Sequence, residues 1–146
     1  MIRILLLFKN KENQRLLNDW LTSRFEVVEG GIDRDFDLLI ADGASLDPII
    51  EQLEIRKKAE KGTFLPVLLV TPRQDIKLAT RQLWKTLDEI LFLPIEKIEL
   101  QARVDILLRA RQLSLELEQS RREIFRALVE QSLVGVYQIE GDRFTY

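Results

Sequence analysis

The sequence predicts an α/β fold: a doubly wound sheet of five parallel strands followed by an extended C-terminal helix. Three observations carry this. Short runs built almost wholly of aliphatic residues, such as IRILLLF (2–8), DLLIAD (37–42) and LPVLLVT (65–71), read as strands buried on both faces. Amphipathic stretches alternate with these runs, the pattern of parallel strands joined by helical crossovers. From Ile98 onward no helix breaker occurs until Gly135.

The elements follow in order. After the first strand, residues 11–24 place Leu16, Leu17, Trp20 and Leu21 on one helical face. FEVVEGG (25–31) is a short strand closed by two glycines, DRDF is a polar linker, and 37–42 is the third strand. Residues 47–62 predict a helix with Asp47 as N-cap and Pro48 at the first helical position. Its apolar face is Ile49, Ile50, Leu53 and Ile55, and Gly62 ends it. The strand at 65–71 is followed by a helix over 73–87, a last strand at 89–93 and a helix from near Glu96. Five such units fit the flavodoxin-like strand order 2-1-3-4-5. Sites in these sheets lie beyond the carboxyl ends of the strands, at the switch between strands one and three. Asp42, at the tip of strand three and followed by Gly43, stands at that edge.

Composition narrows the chemistry. The 146 residues are 46% hydrophobic and 32% charged, in the range of globular proteins. A net charge of −2 gives no global field favouring nucleic acid or an acidic membrane. No cysteine and no histidine are present, which removes thiolate chemistry, the commonest general base and the commonest transition-metal ligands. No apolar run approaches the roughly 20 residues of a bilayer helix, and IRILLLF is too short for a signal-peptide core. The expected location is the cytoplasm. Trp20 and Trp84, at helical spacing with leucines, read as packing residues, and RKKAEKG (56–62) as a solvated helix end favoured by the helix dipole.

Residues 1–112 resemble a response-regulator receiver, a CheY-like domain. The matching pieces are DLLIAD, PVLLVT, LDEILFLPI and VDILLRARQL. The resemblance implies that Asp42 matches the phosphoacceptor and Thr71 the switch hydroxyl. Pro94 matches the proline after strand five, whose preceding bond is cis in the family. Two parts of the family's machinery are replaced. Phe8 and Lys9 stand where an acidic pair would hold Mg²⁺, and Leu93 stands where a lysine would precede the proline. Mg²⁺ requires oxygen ligands in near-octahedral geometry, and phosphoryl transfer relies on it to neutralise charge. The expectation is an atypical or pseudo-receiver with no metal, no cofactor and no catalytic activity in this segment. A Lys9 ammonium paired with Asp42 would hold one conformation; the alternative for Lys9 is a solvated loop position, and for Asp42 a strand-end cap.

The last helix of a receiver would end near Gln112. Here Ile106, Ala110, Leu113, Leu117, Ser120, Ile124 and Ala127 continue at alternating steps of four and three, a heptad seam. Glu118 and Arg122 can pair on its flank. Residues 113–127 are read as a helical coiled-coil linker that makes a homodimer, the alternative being a helix folded back on its own domain. Residues 128–146 resemble the truncated opening of a PAS domain, a short helix and then a hairpin, VYQIEGDRFTY (136–146), turning at Gly141-Asp142. Receiver, helix and PAS in this order imply the N-terminal part of a hybrid sensor kinase or a similar protein. Its partners would be a sensor kinase or output domain, without nucleic acid or membrane contact. Two other functions stay open. One is a phosphorylation-competent receiver taking phosphate on Asp42, with Mg²⁺ held through another acid such as Glu12. The other is an unrelated flavodoxin-like enzyme, against which FKNKEN offers no glycine-rich phosphate loop.

Overall fold

The aliphatic runs form strands β1 (Arg3–Leu7), β2 (Glu26–Val28), β3 (Leu38–Asp42), β4 (Val67–Pro72) and β5 (Glu89–Leu93). They hydrogen-bond in the order β2-β1-β3-β4-β5, and every neighbouring pair is parallel. The strand order expected from the sequence is therefore the observed one. The computed structural model describes residues 1–75, 77 and 86–138, with side chains through 131. Most of the helix expected over 73–87, Trp84 included, lies outside the described residues.

Alternation along each strand sends side chains to two cores. Ile4 and Leu6 of β1, with Leu38 and Ile40 of β3, pack on one face. Leu5, Leu39 and Ala41 pack on the other. The first face is covered by α1 (Lys11–Leu21) and by the long helix α4 (Lys97–Gln138). The second is covered by α2 (Gly43–Leu46) and α3 (Ile50–Ala59), which bury Leu46 and Leu53. The interiors of β1, β3 and β4 are buried on both faces, which is why they carry almost no polar residue.

Local departures from the sequence reading have physical causes. The helix expected from Asp47 starts instead at Gly43, capped by the Asp42 carboxylate, which accepts from Ser45 N at 2.9 Å. Pro48 lacks an N–H and falls in a 3₁₀ turn, Asp47–Ile49, that separates α2 from α3. Leu17 and Leu21 are buried as expected, but Leu16 is 56% exposed and Ile55 68% exposed.

Within the basic run Lys58 and Lys61 are exposed as expected, but Arg56 and Lys57 are not free in solvent. Arg56 donates to the carbonyls of Ile32 and Arg34 and stacks on the Phe36 ring. The Lys57 ammonium donates to Thr86 O at 2.7 Å and to Asp88 at 2.6 Å. These two side chains tie α3 to the loops before β3 and β5 through three carbonyls and a carboxylate.

Helix α4 has two stripes. Leu100, Val104, Leu107 and Leu108 are buried against the first core. One turn further on, Arg111 Nε meets Asp37 Oδ1 at 3.0 Å and Arg111 Nη1 donates to Phe64 O at 3.0 Å. Ser114 Oγ accepts from Phe64 N at 2.7 Å. The other stripe, Ile106, Leu113, Leu117 and Ile124, lies roughly 130° around the helix at about 100° per residue, and each member is 59% to 71% exposed. Arg122 pairs with Glu118 at 3.7 Å, the expected i, i+4 contact. The helix breaks at neither residue 112 nor residue 127. Val136–Gln138, read from sequence as part of a hairpin strand, continue the helix. Extending an existing helix adds one hydrogen bond per residue fixed, whereas an isolated hairpin is marginal in water. The expected turn at Gly141-Asp142 lies outside the described residues.

Candidate functional site

The sheet brings the candidate residues to its carboxyl edge. Asp42 ends β3 and is registered against Val70 of β4, so Thr71 is one residue beyond it on the adjacent strand. Leu93 ends β5 opposite Pro72. The Leu93–Pro94 bond is cis, as expected from the resemblance. Phe8 and Lys9 follow β1, the other neighbour of β3.

The Asp42 carboxylate is fully engaged with backbone. Oδ2 accepts from Lys9 N at 2.9 Å and from Asn10 N at 3.4 Å, and Oδ1 accepts from Ser45 N at 2.9 Å. One side chain thus joins the β1–α1 connection to the start of α2. The contact between Lys9 and Asp42 runs through the Lys9 main chain, and no ion pair involves its ammonium among the described residues. Asp42 serves here as the N-cap of α2. A lysine side chain held in water gains little by pairing with a carboxylate already supplied with three donors.

Phe8 is 5% exposed and belongs to the first core. Burying that ring leaves the position of an acidic ligand without oxygen. Thr71 is 4% exposed, and among the described residues its hydroxyl has only a long 3.5 Å contact to Pro72 O. Leu93 is half-buried against the first core and brings no charge to the edge. Glu12 lies in the first turn of α1, where a carboxylate suits the helix dipole. Among the described residues, no group of three or more acidic side chains gathers in a way that could hold a metal. The donors around Asp42 are N–H groups, which repel a cation. The residues present do not fit Mg²⁺.

Sequence reading placed Asp42 but missed its donors, since main-chain N–H groups carry no residue signature. The one legible hint was Asp-Gly-Ala-Ser directly after a strand, an N-cap spacing. The geometry separates two substitutions. Asp42→Ala strands three N–H groups and is expected to cost about 2 kcal/mol. Lys9→Ala keeps its main-chain donor and is expected to stay within about 0.5 kcal/mol of the parent. Urea unfolding of the two variants checks the contrast, and a Lys9→Ala loss as large as that of Asp42→Ala would mean the ammonium matters after all.

No family model and no curated relative matches the chain. Solved structures do match its fold. NtrX from Brucella abortus, solved in complex with ADP, aligns at TM-score 0.67 and 20% identity, over 83% of this chain and 29% of that one. Full-length FixJ from B. japonicum aligns at 0.63 and 22% identity, over 88% of this chain and 68% of that one. A response regulator receiver domain protein from Clostridium thermocellum aligns at 0.60 and 16% identity, over 77% and 98%. With the parallel order β2-β1-β3-β4-β5, Asp42 at the carboxyl edge and the cis bond before Pro94, these likenesses show that the chain has the fold of a response-regulator receiver domain.

Proposed function

We propose that this chain is a two-component signal-transduction module of the pseudo-receiver kind. It regulates a downstream sensor or output domain by protein contact and dimerisation, without Mg²⁺-dependent phosphorylation of Asp42. The observation that carries this reading is the state of the carboxylate: both Asp42 oxygens are taken by main-chain donors. Beside it, Phe8 is buried in the core where an acid would be needed. Attack of Asp42 on a phosphoryl donor would require giving up those hydrogen bonds, with no acid at Phe8 and no lysine at Leu93 to stabilise the transferred group. The response regulator receiver domain protein from Clostridium thermocellum, similar in fold, supports the signalling context.

The output runs through α4. Its exposed stripe of Ile106, Leu113, Leu117 and Ile124 has heptad spacing and supports a two-stranded coiled coil between copies of the chain. Rotation or register within that coil passes the state of the domain to whatever follows, a PAS domain on the resemblance of residues 128–146.

The test is intact mass after incubation with acetyl phosphate and Mg²⁺, beside Asp42→Asn. The expected result is no added phosphoryl group in either protein. A gain present in the parent and absent from Asp42→Asn would replace this reading with a phosphorylation-competent receiver.

A further inference from the structure

The crossover from β2 to β3 differs from its neighbours. Parallel strands are usually joined by about a dozen residues or more with a helix among them. β2 ends at Val28, β3 begins at Leu38, and residues 29–37 form no helix. Because β2 and β3 flank β1, this connection passes over β1, whose face a helix would ordinarily cover. The loop is pinned toward α3 instead. Arg56 holds the carbonyls of Ile32 and Arg34, and Gly30 sits at φ +121°, where an added side chain would meet Arg34 Cγ at 3.2 Å.

What the loop leaves open is a crevice of about 860 Å³ between it and the β1–α1 connection. That volume is in the range of small-molecule sites. The crevice also opens at the carboxyl edge near the reversal of strand order, where open α/β sheets bind ligands. Half-buried Leu7, Ile32 and Ile49 supply an apolar lining. Lys9 and Lys11 line it from the β1–α1 side, Glu29 and Asp33 from the β2–β3 loop. None of these four charges forms an ion pair among the described residues, with one another or elsewhere.

We propose that the crevice binds a zwitterion, an amino acid or short peptide with a free amine and a free carboxylate. The carboxylate faces Lys9 and Lys11, the ammonium faces Glu29 and Asp33, and an apolar side chain rests on Leu7, Ile32 and Ile49. A simple anion would be drawn by one bank and repelled by the other, and a simple cation likewise. Only a molecule carrying both charges is favoured at each. The site uses the Lys9 ammonium, which Asp42 does not, so the proposal stands apart from the phosphorylation question.

Titration calorimetry of the whole chain tests it with leucine, trileucine, N-acetylleucine and leucinamide. Leucine or trileucine is expected to bind, and which of them binds more tightly tells free amino acid from peptide. Blocking either end is expected to weaken binding about tenfold or more, some 1.4 kcal/mol. Lys9→Gln should bind the zwitterion no better than the parent binds leucinamide, and Glu29→Gln no better than the parent binds N-acetylleucine. Failure of both zwitterions to bind at millimolar concentration would overturn the proposal, and so would equal binding of the blocked forms.

Discussion

Replacing both Leu113 and Leu117 with glutamate is expected to turn the proposed dimer into monomers. The two side chains are 59% and 71% exposed on one chain, so their removal costs the isolated fold little. In a two-stranded coil each leucine would gain about 1.5 kcal/mol by leaving water. Four such side chains are lost per dimer, and four carboxylates face one another in their place. The association constant should fall by roughly four decades on the apolar term alone. Sedimentation velocity across a concentration series gives the answer, with circular dichroism to show that the domain stays folded. A parent chain that is monomeric at high micromolar concentration, or a variant that still dimerises, would remove the coiled coil from the proposed function.

A loss of stability as large as that of Asp42→Ala is expected from Arg111→Ala. Its side chain is 12% exposed and bridges two distant segments: Asp37, just before β3, and the carbonyl of Phe64, just before β4. Asp37 in turn accepts from Arg3 N at 2.9 Å. Removing the guanidinium leaves a mostly buried carboxylate with one donor and a carbonyl with none, the situation in which breaking a pair costs more than the pair contributes. With 29% of the Asp37 side chain still open to water, the expected cost is about 2 kcal/mol. Arg111→Lys keeps the charge but cannot reach both acceptors with a planar fork, and should recover only part of it. Urea denaturation with an unchanged m-value checks both. The same contacts, with Ser114 on Phe64, fasten α4 to the domain at the level of Leu113, within the span of the exposed stripe. Loss of Arg111 should therefore also loosen the mechanical link between domain and helix.

Much of the molecule was legible from local pattern. The aliphatic runs at 2–8, 37–42 and 65–71 marked the central strands because a strand sealed on both faces can hold little else. Their alternation with helical stretches was enough for the parallel order, since crossover topology leaves few choices. The placement of Asp42 and Thr71 on adjoining strands and the heptad spacing of α4 were equally plain, being matters of residue type and period. What the sequence could not determine depends on where loops bring groups that are far apart in the chain. Lys9 meets Asp42 through its main chain, Arg56 and Lys57 are ties between elements where a solvated end was expected, and Arg111 reaches Asp37 across 74 positions. Hydrophobic burial is short-ranged in sequence and indifferent to direction, so it is written in composition and period. Hydrogen bonds and ion pairs are directional and need both partners in place, so only the folded arrangement decided which donors Asp42 would have and that, among the described residues, the Lys9 ammonium would have no ion-pair partner.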